Sequence, residues 1–140
     1  MGVFKSKREL RQILDRVLKE VDADPKDGPK LRAAGLQQRI EISDLGLVLN
    51  IGPGGRSGDR LTWKFSDKVD WEPKLTMRMD SEVANCYLQG KENIALAIVR
   101  KRISTSCEAR AALRYFPASR PIFEHYREIV EKDYPHLAVR

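Results

Sequence analysis

The side chains best suited to catalysis or to a transition metal are His125, His136, Cys86 and Cys107. Catalysis needs such groups to converge with suitable pKa values. His125 follows Glu124 inside an expected helix, so those two side chains diverge. His136 stands beside Pro135 in the tail end of the sequence. Neither cysteine belongs to a C-x-x-C or zinc-like spacing, and Cys86 has no histidine near it in sequence. Reduced, buried thiols are the expectation, and a Cys86–Cys107 disulfide is the other reading. Gly52-Pro53-Gly54-Gly55 has the composition of a phosphate loop. It lacks the Lys and Ser/Thr of one, however, and it joins two apparent strands rather than opening a helix. It reads as a hairpin loop. No carboxylate pair stands out. The expectation is a protein with no catalytic residue, no metal and no cofactor, and not an enzyme. The competing enzyme reading is a hydrolase using Cys86.

Charge is the next signal. The chain has 140 residues, a net charge of +6 and a pI near 9.5. Such a balance favours anionic partners. It is concentrated between Arg100 and Arg120, where Arg100, Lys101, Arg102, Arg110, Arg114 and Arg120 face the lone anion Glu108. That stretch reads either as a solvated face or as an anion-facing patch. Aromatic residues are 7% of the chain, which argues against a platform for stacking bases. No apolar run approaches the roughly 20 residues of a membrane span. The segment from Met1 to Arg11 lacks the apolar core of a signal peptide, and Leu137-Ala138-Val139-Arg140 is not a peroxisomal address. A cytoplasmic protein is expected.

The elements that must position any site follow from periodicity. Leu10, Ile13, Leu14, Val17, Leu18 and Val21 share one helical face, with Ser6 and Glu9 as a capping box and Pro25 as a stop. A short second helix is expected from Asp27 to Ala34, ended by Gly35. Alternation then predicts four strands, at Gln38–Ile42, around Leu47–Ile51, around Leu61–Phe65 and at Leu75–Met79. Short connections favour antiparallel pairing of consecutive strands. Helices are predicted over Ser81–Leu88 and Glu92–Val99, and a fifth strand over Arg102–Ser106. Another helix is predicted over Glu108–Tyr115, stopped by Pro117. The last starts at a Ser119 cap and carries Ile122, Phe123, Tyr126, Ile129 and Val130. The length fits one domain, 1–140: an N-terminal helical segment 1–35, strands over 36–80, and helices with the last strand over 81–134. The fold class is α+β: a five-stranded, mainly antiparallel sheet covered by helices on one face.

Lys74-Leu75-Thr76-Met77-Arg78-Met79-Asp80-Ser81-Glu82 runs from a strand into a helix. Leu88-Gln89-Gly90-Lys91-Glu92-Asn93 follows, then Ile103-Ser104-Thr105-Ser106 and the small-residue run Ala109-Arg110-Ala111-Ala112-Leu113. In order and spacing this resembles the sterol carrier protein type two family, well over 74–116 and, through the earlier strands, back to Gln38. The family carries Gly at the tight turn before its last strand, where this chain has Arg100-Lys101-Arg102. The resemblance implies an apolar tunnel between sheet and helices that takes sterols, fatty acids, acyl-CoA esters or phospholipids without altering them.

Inward positions that would line such a tunnel are Trp63, Phe65, Leu75, Met77, Met79 and Ile103 from strands, and Val83, Tyr87, Leu113, Phe116, Ile122 and Phe123 from helices. All of them also suit a plain hydrophobic core, although methionine adapts well to varied ligands. Ten buried methylenes contribute roughly 8 kcal/mol, set against association costs of about 4–15 kcal/mol, so weak to micromolar binding is expected. Arg102, Arg110 and Arg114 are the candidates for an anionic head group. The expected partner is a lipid or acyl-CoA-type small molecule, with transient contact to an anionic membrane surface. Nucleic acid is not favoured, although an anionic-surface or nucleic-acid binding module built on the 100–120 region is the alternative function. A monomer or weak dimer is expected.

Overall fold

The computed structural model describes residues 4–33, 37–52, 61–106, 114 and 116–139. The chain opens with α1 (Lys7–Ala23), and its start is set by local chemistry. The Ser6 hydroxyl accepts from the Glu9 backbone N–H, and the Glu9 carboxylate accepts from the Lys5 N–H. The predicted box thus forms, with its carboxylate reaching one residue further back. The six apolar residues of the α1 face are all buried. The helix ends at Asp24, one residue before Pro25, and α2 (Asp27–Ala33) follows. The expected stop at Gly35 lies outside the described residues.

The strands are β1 (Gln38–Ile42), β2 (Leu47–Gly52), β3 (Thr62–Lys64), β4 (Leu75–Met79) and β5 (Ser104–Thr105). They form one sheet in the order β3-β2-β1-β4-β5. Three of its pairings are antiparallel, as expected of a mainly antiparallel sheet. The central one is not: β4 runs parallel to β1 rather than antiparallel to β3. A short connection suggested neighbours, but β3 ends at Lys64 and residues 65–74 carry the chain back across the sheet. There Ser66 O accepts from Asn50 Nδ2 at 2.6 Å and Asp67 O accepts from Arg39 Nη1 at 2.9 Å. Trp71 packs on Gly52, where any side chain would overlap its ring.

The register sorts the residues into two faces. Across the inner face run the rows Trp63–Ile51–Gln38–Leu75, Leu49–Ile40–Met77 and Leu47–Ile42–Met79. The other face carries Arg39, Glu41 and Arg78, where Glu41 accepts from Arg39 Nε at 2.8 Å. Among the described residues helices cover the inner face, consistent with the α+β expectation. They are α1, α3 (Ser81–Leu88), α4 (Ile94–Val99) and α5 (Phe116–Asp133), with a single 3₁₀ turn at Pro135–Leu137. α5 begins three residues before the expected Ser119 cap, and Ser119 is buried inside it. Pro117, expected as a stop, sits in the first helical turn, where no backbone donor is needed. The helix expected over Glu108–Tyr115 lies outside the described residues.

A buried polar cluster ties the last segment to α3. Asn85 Oδ1 accepts from Tyr126 Oη at 2.9 Å and from Gln89 Nε2 at 2.8 Å. Asn85 Nδ2 and Gln89 Nε2 both donate to Leu137 O, and Gln89 Oε1 accepts from Val139 N. Buried amides are tolerated because each finds partners.

α3 and α4 end in the same way. At α3, Gly90 N–H bonds Tyr87 O and Lys91 N–H bonds Cys86 O, with Gly90 at φ 71°. At α4, Lys101 N–H bonds Ile98 O and Arg102 N–H bonds Ala97 O, with Lys101 at φ 62°. Both are Schellman closures, which want a left-handed residue, usually Gly. Lys101 occupies the turn where the resemblance placed a glycine, and with a left-handed backbone there its side chain bears a steric cost. Lys101→Gly is therefore expected to stabilise the fold by about 1 kcal/mol, read as a higher urea midpoint.

Candidate functional site

Two spaces matter, and a pair of rings stands between them. Between sheet and helices lies a void of about 10 Å³, bounded by Leu14 and Leu18 of α1, Ile40, Leu49 and Ile51 of the sheet, and Ile122 of α5. That is room for at most one water, and the walls are apolar. The resemblance implied a tunnel between sheet and helices, and at this void side chains fill that space. Outside lies a cleft of about 590 Å³ between the end of α3, α4 and α5. Ligand sites commonly span roughly 300–1,000 Å³, so the cleft is large enough and the void is not.

Tyr87 and Phe123 line both spaces. Their rings meet edge to face, 5.0 Å apart at 74°, the geometry that aromatic quadrupoles favour. Behind Tyr87 sits Gln38, the one polar residue in the inner rows of β1. It is buried, and its Nε2 approaches Met77 Sδ at 3.0 Å and Tyr87 Oη at 3.5 Å. Burial pushes the Tyr87 hydroxyl up to about 12, a rise the Gln38 contact partly offsets. Tyr126 is raised too, first by burial and then by the nearby Glu9 and Cys86.

The cleft is polar at its rim. Arg120, Phe123, Glu124 and Arg127 come from successive turns of α5, facing Glu92, Asn93, Ile94 and Ala95. No ion pair engages Arg120 or Arg127 among the described residues. Arg102, by contrast, is held by Glu92 Oε1 at 2.8 Å. Arg114 is exposed, and Arg110, Leu113 and the side chain of Phe116 lie outside the described residues. Of the other expected lining residues, Ile122 borders the void. Leu75, Met77, Met79, Val83 and Ile103 are buried in the main core. Trp63 donates from Nε1 to Asp15 on α1, and Phe65 lies under the Arg11 guanidinium. Gln38 and Arg127 were not among the expected site residues, and Arg120 was expected only as part of the basic stretch from Arg100 to Arg120. The 120-123-124-127 spacing does mark one helical face, which could have revealed the two arginines.

Cys86 is a free, half-buried thiol. Burial, then the Glu92 charge, pushes it up, which suppresses the thiolate that a nucleophile requires. Cys107 lies outside the described residues.

No family model and no curated protein matches the sequence. Solved structures do match in shape. The chain has the sterol carrier protein type two fold. It aligns with a UbiJ-SCP2 ubiquinone synthesis protein at 10% identity and a TM-score of 0.56, covering 80% of this chain and 93% of that one. The sterol carrier protein domain 2 of Helicoverpa armigera aligns at 13% identity and 0.55, covering 81% and 87%. The inverting sec-alkylsulfatase Pisa1 from Pseudomonas sp. aligns at 11% identity and 0.51 over 64% of this chain. The present chain spans only 14% of that enzyme's length. The same fold thus occurs alone and as a small part of an enzyme, and it does not by itself decide the chemistry.

The two buried tyrosines predict an alkaline limit. An unfolded tyrosine loses its proton near 10, whereas folded Tyr87 keeps it to about 12. Between these values the unfolded state binds fewer protons, so stability falls as pH rises. It should be complete below pH 10 and decline by up to about 1.4 kcal/mol per pH unit for each such group. Urea denaturation stepped from pH 10 to 12 reads this, and Tyr87→Phe should flatten the slope.

Proposed function

We propose that the 1–140 segment acts as one domain that binds amphipathic lipid-like molecules (sterol, fatty acid, acyl-CoA or phospholipid) without transforming them. The observation that carries this is the Tyr87–Phe123 pair, one aromatic contact that lines both a solvent-open cleft and the largely apolar interior. An apolar tail enters by parting these rings and displacing side chains around Ile122. Its anionic head remains in the cleft, where Arg120 and Arg127 offer charge-assisted hydrogen bonds. Arg102 has a carboxylate partner already, so its part is to hold Glu92 back from the ligand. The carrier fold and the raised pKa of Cys86 support binding over catalysis.

A fluorescent long-chain fatty acid should bind saturably in the micromolar range. The double change Arg120→Gln, Arg127→Gln should weaken it roughly tenfold while leaving an uncharged sterol unaffected. Absence of saturable binding below about 100 μM for any of these ligand classes would sink the reading.

Delivery follows from α4. Leu96 and Val99 are 41% and 74% exposed and adjoin exposed Arg100 and Lys101. Ile94 and Ala95 of the same short helix border the cleft. Apolar side chains beside cations suit the surface of an anionic bilayer, which would place the cleft mouth against lipid. Among the described residues no helix is long and apolar enough to cross a membrane. Val99→Glu should reduce sedimentation with phosphatidylserine vesicles several-fold and leave fatty-acid titration in solution unchanged. Equal sedimentation of both proteins would remove α4 from the account.

A further inference from the structure

His125 has no useful partner in its own helix, yet folding supplies two from the other end of the chain. α5 lies against the α1–α2 corner, and there His125 Nε2 stands 3.5 Å from Asp27 Oδ2 and 3.9 Å from Asp24 Oδ2. The three ligand atoms all lie within 4.8 Å of one another. Each side chain is 18–31% exposed, sheltered but reachable from solvent. We propose that Asp24, Asp27 and His125 form a binding site for a borderline divalent transition cation, with Zn²⁺ as the best fit.

Three features carry this. First, the aim of Asp24 is fixed. Its Oδ1 accepts from the backbone N–H groups of Lys26 and Asp27 at 2.8 and 2.9 Å, leaving Oδ2 turned to the cluster. Second, the separations suit the metal. Bonds of about 2.0–2.1 Å in a tetrahedron place ligand atoms roughly 3.3 Å apart, so small side-chain rotations bring all three into range. A fourth position faces solvent for water. Third, the charge is unbalanced. Among the described residues, His125 is the sole basic side chain paired with either carboxylate. Two carboxylates and a neutral imidazole are a hard-to-borderline donor set, suited to Zn²⁺, Co²⁺ or Mn²⁺ rather than to Cu⁺. A bound ion would bridge the α1–α2 corner to α5, on helices that also wall the apolar interior.

The test uses the whole chain stripped with EDTA. Co²⁺ should give one-to-one saturable binding with a visible d–d absorption, displaced by Zn²⁺. Zn²⁺ should also raise the melting temperature. His125→Ala and Asp27→Asn should each weaken Zn²⁺ binding roughly tenfold or more by calorimetry, while His136→Ala should not. The proposal is overturned if the unaltered protein shows no saturable Zn²⁺ binding up to about 100 μM, or if His125→Ala binds as the parent does. Should either variant fail to fold, the parent protein decides. Saturable Zn²⁺-induced movement of the His125 ring resonances supports the site, and movement of those of His136 alone overturns it.

Discussion

The parallel pairing of β1 with β4 is the constraint on which the rest of the molecule depends. A parallel neighbour cannot be reached by a tight hairpin, so the chain must leave β1, build β2 and β3 on one side, and return. That return uses residues 65–74, which cross the polar face and shield Asn50 and Gly52. Once β4 lies beside β1, its end delivers α3 to the inner face, because Asp80 caps the helix directly after Met79. Tyr87, the penultimate residue of α3, then arrives beside Gln38. The rings that part the cleft from the interior are thus placed by strand order, not by any local preference.

The inner face also explains why the interior is full. Three rows of β1, β2 and β4 meet the buried stripes of α1 and α5, and the apolar side chains of both layers are buried in one cluster. Gln38 alone interrupts the pattern. Its Nε2 reaches the Met77 thioether at 3.0 Å and the Tyr87 hydroxyl at 3.5 Å.

Much of the architecture was legible in the residues. The β1 and β4 boundaries, the α1 cap and face, and α3 all follow from local periodicity and capping, which act over a few residues. Strand partnership was not legible, because Lys74 gives no sign that it follows Gln37 O rather than β3. α5 started earlier than the Ser119 cap because two prolines in a first and second turn can still be helical when tertiary packing holds them. The inward strand residues were identified as apolar, yet burial alone could not separate wall from core. Met77 and Leu75 went to the core, Trp63 and Phe65 to contacts with α1. Sites assembled from distant segments were invisible for the same reason. Asp24 and Asp27 look like turn residues and His125 like a helix surface until the corner and the helix are packed together.

The closed interior carries a mechanical consequence. Hydrostatic pressure unfolds proteins chiefly by eliminating internal voids, and the volume change scales with the empty space lost. Where Leu14, Ile40 and Ile122 leave a void of about 10 Å³ rather than a tunnel, there is little empty volume to surrender on unfolding. It should tolerate compression better than a domain of equal size built around a standing tunnel.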